Sequence, residues 1–255
     1  MKILCVDTAT EACSAAVQIG DERDGIFEIC PQQHSQRILP MVDELLKRNS
    51  LKLSELDAIA YGRGPGSFTG VRIASSTVQG LALGASLPVL EISTLQAMAQ
   101  ENFEVHGVTD TLALIDARMS EVYAGQFSVG DTVGEDTVVE STLVEKRSVE
   151  NNSVANINIA QSIKQESVLP PAKLSELAQA YQNSNAYVGT GFHAYQAELG
   201  LTLQSQQLAV NYPNSLYMLP IAMAKFNASQ QVTAQEIQPV YLRDKVTWKK
   251  LPNRE

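Results

Sequence analysis

Short apolar blocks open the chain, and a three-to-four-residue spacing takes over further along. Residues 3–7 and 13–19 read as strands joined by Thr8-Ala9-Thr10-Glu11-Ala12, a link short enough for a hairpin. The polar turn Gly20-Asp21-Glu22-Arg23-Asp24-Gly25 leads to a third strand at 26–30, so the chain begins as an antiparallel meander. Residues 35–49 then place Ile38, Met41, Val42, Leu45 and Leu46 on one helical face, with Asp43, Glu44, Lys47 and Arg48 on the other. Pro40 falls in the second turn of that helix, or else the regular helix begins beside it. A strand at 56–61, a helix at 71–85, a strand at 88–92 and a helix at 94–100 capped by Ser93 or Thr94 follow. That alternation predicts an α/β layer with a mixed sheet.

The pattern restarts after residue 104. Strands at 111–115 and 121–127 flank Asp116-Ala117-Arg118-Met119-Ser120, and 136–140 supplies a third. Residues 144–170 are polar with weak periodicity and read as loops and short elements, before a brief strand at 186–188 and a firm helix at 215–227. Residues 238–255 read as an extended tail carrying Arg243, Lys245, Lys249, Lys250 and Arg254. Two strand–strand–strand beginnings hint at a duplicated architecture. The division expected is 1–104, 105–214 and a segment 215–255 packing across both.

The densest chemistry-bearing stretch is Gly62-Arg63-Gly64-Pro65-Gly66-Ser67-Phe68-Thr69-Gly70-Val71-Arg72. A glycine-rich loop feeding a helix is the usual cradle for an anion. Its spacing is GxGxxxG rather than the GxGxxG of dinucleotide binders, and no Lys-Ser/Thr follows its last glycine as a P-loop needs. Ser67 is not in GxSxG, and His34, His106 and His193 are scattered, so no hydrolase triad or metal spacing is legible. Ser67 and Thr69 read instead as loop or cap hydrogen-bonding groups. The following helix is rich in small residues, including Ala74, Ser75, Ser76, Gly80 and Gly84, which suits close packing on both sides.

Composition narrows the class. In 255 residues, 44% hydrophobic and 18% charged, a soluble globular core can form unaided. No apolar run approaches membrane-spanning length, and a carboxylate arrives too early for a secretory leader. Three cysteines without CxxC spacing read as reduced core residues of a cytoplasmic protein. A net charge of −9 argues against a chain that grips nucleic acid by itself, so any such link runs through a partner.

Asp7-Thr8-Ala9-Thr10 and Asp116-Ala117-Arg118 resemble the paired hairpin turns with which actin-, Hsp70- and sugar-kinase-like proteins hold ATP phosphates and magnesium, except that Ala9 and Ala117 replace the glycines. With His34-Ser35, the run Gly64 to Ile73, and Pro239-Val240-Tyr241-Leu242-Arg243, these motifs make the whole chain resemble the bacterial TsaB (YeaZ) family. The resemblance implies an actin/Hsp70-like (ASKHA) α/β fold of two subdomains, each with a mixed sheet begun by a meander. It also implies a non-catalytic partner of TsaD in tRNA threonylcarbamoyladenosine (t6A37) synthesis, joined by the P-loop ATPase TsaE and homodimeric alone. No catalytic residue, cofactor or metal is expected, and tRNA is met only through the complex. An ATP-dependent kinase or a peptidase is the alternative. On the resemblance, docking falls to Ile38, Met41, Val42 and Leu45 of the first helix and Val71, Arg72, Ala74, Ser75 and Val78 of the second. Arginine at Ala74 or Val78 is then expected to break pairing and leave the monomer folded. The bland alternative is that these positions pack on their own sheet.

Overall fold

Two mixed sheets, each laid down by a meander, organise the molecule, whose computed structural model describes residues 1–130, 158–170, 172–173, 187–199 and 210–243. The first is built from β1 (Lys2–Asp7), β2 (Ala12–Ile19), β3 (Glu22–Ile29), β4 (Ala58–Gly64) and β5 (Val89–Ser93), in the order β3-β2-β1-β4-β5. β1 and β2 run antiparallel with Asp7 opposite Ser14, whereas β4 joins β1 in parallel. The parallel join requires a crossover, supplied by α1 (His34–Arg48). A second crossover, α2 (Phe68–Ala85), returns the chain to β5.

β1 and β4 read as near-continuous apolar runs because both their faces are covered. Leu4, Val6, Ile59 and Tyr61 pack against Ile38, Met41, Val42 and Leu45 of α1 and Ala74, Val78 and Ala82 of α2. Ile3, Cys5, Ala58, Ala60, Leu90 and Ile92 point the other way, onto Met218, Leu219, Ile221 and Ala222 of the C-terminal helix Ser215–Asn227. Each fully buried aliphatic side chain of this kind contributes about 1.5–3 kcal/mol of hydrophobic free energy. All three cysteines are free and buried, and burial pushes the Cys5 and Cys13 thiols well above their usual range. They are inert core residues.

α3 (Thr94–His106) leads to the second sheet, β6 (Asp110–Arg118), β7 (Glu121–Ser128), β8 (Gln161–Leu169) and β9 (Tyr187–Val188), in the order β8-β7-β6-β9. β6, β7 and β8 are antiparallel and β9 is parallel to β6. The first four strands of the first sheet have this same arrangement, so the duplicated beginnings extend to sheet topology. Two short helices, α4 (Thr190–Ala194) and α5 (Gln196–Leu199), precede α6 (Ser215–Asn227).

Several elements depart from the sequence reading. α3 continues past Gln100 to His106, because the polar residues that suggested its end have partners. The Gln100 amide donates to Glu104 and to the Asn158 carbonyl and accepts from Ala160 N–H, and Asn102 donates to Thr111. β8, nine residues long, forms where only loops and short elements were expected, while the strand expected at 136–140 lies outside the described residues, as does the tail after 243. α1 starts at His34 with Pro40 inside it, on the solvent side, where the missing N–H and displaced carbonyl meet water.

Candidate functional site

The C-terminal ends of β1, β4 and β6 converge on two hairpin turns. At the first, Asp7 is fully buried; its Oδ1 accepts the Ala9 N–H at 2.9 Å, and Oδ2 has no hydrogen-bond partner among the described residues. Burial pushes this carboxyl up to about 7, partly offset by the Ala9 hydrogen bond. The Thr8 hydroxyl donates to the Gly70 carbonyl at 2.7 Å, and Ser67 N–H donates to the Ala9 carbonyl at 2.7 Å. Ser67 is also the N-cap of α2, its Oγ accepting from Gly70 N–H.

The glycine loop therefore lies backbone-to-backbone on the first turn. A Cβ at Gly66 would stand 2.4 Å from the Ala9 carbonyl oxygen, and one at Gly70 would stand 2.1 Å from that of Thr8. A Cβ at Gly62 would overlap the Asp7 carboxylate at 1.7 Å. Glycine is required by this close approach of chain to chain, and no room remains between loop and turn for a methyl group, still less a phosphate.

The second turn is held differently. Asp116 accepts from Arg118 through backbone N–H and guanidinium, both at 2.8 Å, and the Tyr195 hydroxyl donates to it at 3.3 Å. Arg118, Met119 and Ser120 all have positive φ (62°, 57° and 58°), an unusual run for residues other than glycine. Arg243 braces them, pairing with Glu121 Oε2 at 2.5 Å and donating to the Ala117 and Arg118 carbonyls. Across the gap between the turns, Arg118 pairs with Glu11 at 2.7 Å. Among the described residues no three potential metal ligands gather.

The positions expected to dock a partner are divided by the structure. Ile38, Met41, Val42, Leu45, Val71, Ala74, Ser75 and Val78 are all buried within this chain; only Arg72 of the nine is exposed. An arginine at Ala74 or Val78 would bury a charge in the core, so neither substitution can report on pairing with the monomer intact. The exposed sides of the same helices carry other residues. Leu39 on α1 and Phe68 and Leu83 on α2 are each about half exposed, and a groove of about 430 Å³ is lined by Ser35, Phe68, Thr69, Arg72, Ile73, Ser76 and Thr77. Ser76, Gly80 and Gly84, four residues apart, form an exposed row beside it, and nothing lies within 4 Å of a Cβ built at either glycine. That four-residue spacing was the available signal, since the apolar spacing marked only the inward face. One wall of the groove ends in a stack that no sequence pattern announced: the Arg72 guanidinium lies 3.5 Å over the Phe68 ring and donates through Nε to the Tyr241 hydroxyl at 2.8 Å.

A family model described as "TsaD: tRNA N6-adenosine threonylcarbamoyltransferase" matches residues 18–251. The chain is 41% identical over its full length to the tRNA threonylcarbamoyladenosine biosynthesis protein TsaB of Haemophilus influenzae, covering 99% of that protein. The Escherichia coli K12 protein of the same name is also 41% identical, with both chains covered fully. The chain belongs to the TsaB family. The solved structure of YeaZ from Pseudomonas aeruginosa is similar at 33% identity with a TM-score of 0.77, over 94% of this chain and 99% of that one. This chain's match to the TsaD model begins near the end of β2 and runs on through the second sheet, leaving β1 and the first turn before it. Among the described residues of this TsaB-family chain, no helix is long and apolar enough to cross a membrane.

Proposed function

We propose that this chain is a non-catalytic subunit that docks TsaD and supports transfer of a threonylcarbamoyl group to N6 of adenosine 37 in tRNAs reading ANN codons. The observation that carries the non-catalytic part is the glycine loop seated on the first turn. In the actin/Hsp70-like fold, to which the repeated strand order is suited, that turn faces nucleotide phosphates; here its Thr8 hydroxyl and Ala9 carbonyl are hydrogen-bonded to the chain's own loop. On this reading 1–104 and 105–214 are the two halves and 215–255 packs across both. TsaE joins the pair, the chain works in the cytoplasm, and it is a homodimer when alone.

Docking uses the outward sides of α1 and α2, the apolar groove between Ser35 and Ser76 and the small-residue row beside it. Small residues let a partner helix approach closely. The test is co-purification of TsaD with Ser76→Arg, an exposed position whose substitution leaves the core untouched. Loss of TsaD with an unchanged melting curve supports the surface, and normal co-purification removes it. The kinase alternative is tested by calorimetry with Mg-ATP, where micromolar binding with turnover would reject the non-catalytic reading.

A further inference from the structure

Residues 238–243 run from the first half of the molecule to the second and bond to both. Gln238 N–H donates to Glu91 Oε1 at 3.3 Å, and Val240 N–H donates to the Arg63 carbonyl at 2.8 Å, beside the glycine loop. Tyr241 holds two residues of the groove wall: its ring lies 5.5 Å from that of Phe68, and its hydroxyl accepts from Arg72. Two residues on, Arg243 grips the second turn through Glu121 and the Ala117 and Arg118 carbonyls. Arg118 then reaches back to Glu11 on the first turn, against which the glycine loop and the start of α2 are seated. The contacts close a ring: groove wall, tail, second turn, first turn, glycine loop, groove wall.

We propose that this tail segment is a strap that couples the α1/α2 groove to the second hairpin turn, so that a partner seated against Phe68, Arg72 and Tyr241 also steadies the union of the two sheets. The occupant is taken from the functional reading above, namely the TsaD subunit; the strap itself stands on this chain's contacts. Two residues of extended chain span only about 7 Å, so Tyr241 cannot move far without shifting Arg243. The turn has a use for such a brace, because three consecutive non-glycine residues with positive φ persist only where their surroundings hold them. Coupling of this kind is reciprocal: loosening the turn must weaken the groove by the same factor as loosening the groove weakens the turn.

Amide hydrogen exchange on the full chain tests the coupling without any partner. Phe68→Ala removes a half-exposed ring, which the fold tolerates, and is expected to speed exchange at residues 117–121 about tenfold, across the gap between the sheets. Faster exchange confined to α2 and 240–242 would overturn the strap. In the reverse direction, Arg243→Ala is expected to weaken TsaD binding about tenfold, and Arg243→Lys, which keeps a cationic donor toward Glu121 and the turn carbonyls, to retain most of it. Unchanged affinity in Arg243→Ala would overturn the coupling to the partner. If the unmodified chain does not bind TsaD, the functional reading falls, while the Phe68→Ala exchange result still decides the strap.

Discussion

The two hairpin turns occupy matching places in matching sheets and are stabilised by different physics. The first, Asp7 to Glu11, is buried almost throughout and sealed by backbone-to-backbone contact with the glycine loop. The second, Asp116 to Ser120, is largely exposed and held by charge, from Asp116, Glu11, Glu121 and the two arginines 118 and 243. One turn is closed by shape and admits nothing larger than a hydrogen; the other is closed by side chains that solvent and salt can reach. A fold that begins with two equivalent turns has thus shut one by packing and left the other adjustable, which suits a chain whose contribution is a surface.

Substitutions that probe each turn should separate these two modes of closure. The largest effect is expected from Gly70→Ala, whose new methyl would meet the Thr8 carbonyl at 2.1 Å. The loop must move off the turn, at about 3 kcal/mol or more by denaturant unfolding. A loss below about 1 kcal/mol would mean that the first turn is not sealed by shape.

Next comes the pH dependence of the Asp7 carboxyl. The folded chain holds this proton up to about pH 7, whereas an unfolded aspartate releases it near pH 4. Between those values the folded state binds the extra proton, so its contribution to stability is complete below about pH 4 and is lost as pH rises to about 7. Asp7→Asn, which keeps the oxygen that accepts from Ala9, removes that loss. Its stability relative to the parent should rise by about 2–4 kcal/mol from pH 4 to pH 7 in parallel denaturant titrations. A constant difference would show the carboxylate to be solvated.

A glycine away from the turns supplies the control. Gly80 has open space where a Cβ would stand, so Gly80→Ala should raise thermal stability by about 0.5–1 kcal/mol, opposite in sign to Gly70→Ala. The smallest effect belongs to the second turn. Arg118→Ala removes the exposed ion pairs with Glu11 and Asp116 and should cost about 0.2–1 kcal/mol in low salt, shrinking toward zero as salt is raised. A large, salt-independent loss would make the two turns alike.

What the sequence made legible follows from where packing leaves a periodic trace. The opening meander, α1, α2 and α6 bury one face or two, and their spacing identified them within a few residues. β8 lies at the edge of its sheet with a largely polar sequence, so it carries no alternation, and its pairing with β7 appears only in three dimensions. α3 hid its last turns because Gln100 and Asn102 are buried polar residues whose partners lie on other elements. At the candidate site, the glycine loop and both turns were visible as motifs, but their mutual contact was not. The residues expected to dock a partner were chosen from the apolar period of α1 and α2, and the structure buries eight of the nine, because the period that identifies a helix marks the face turned toward its own sheet. Small, weakly hydrophobic Ser76 and Gly80 carry no such signal.

The central claim is that this chain acts through its shape on a catalytic partner. It is tested most directly by measuring threonylcarbamoyl transfer to tRNA with purified TsaD and TsaE, with and without this chain, and with this chain alone. The account predicts no transfer by the chain alone and a large loss when it is left out. Transfer by the isolated chain, or full activity of TsaD and TsaE in its absence, would contradict it.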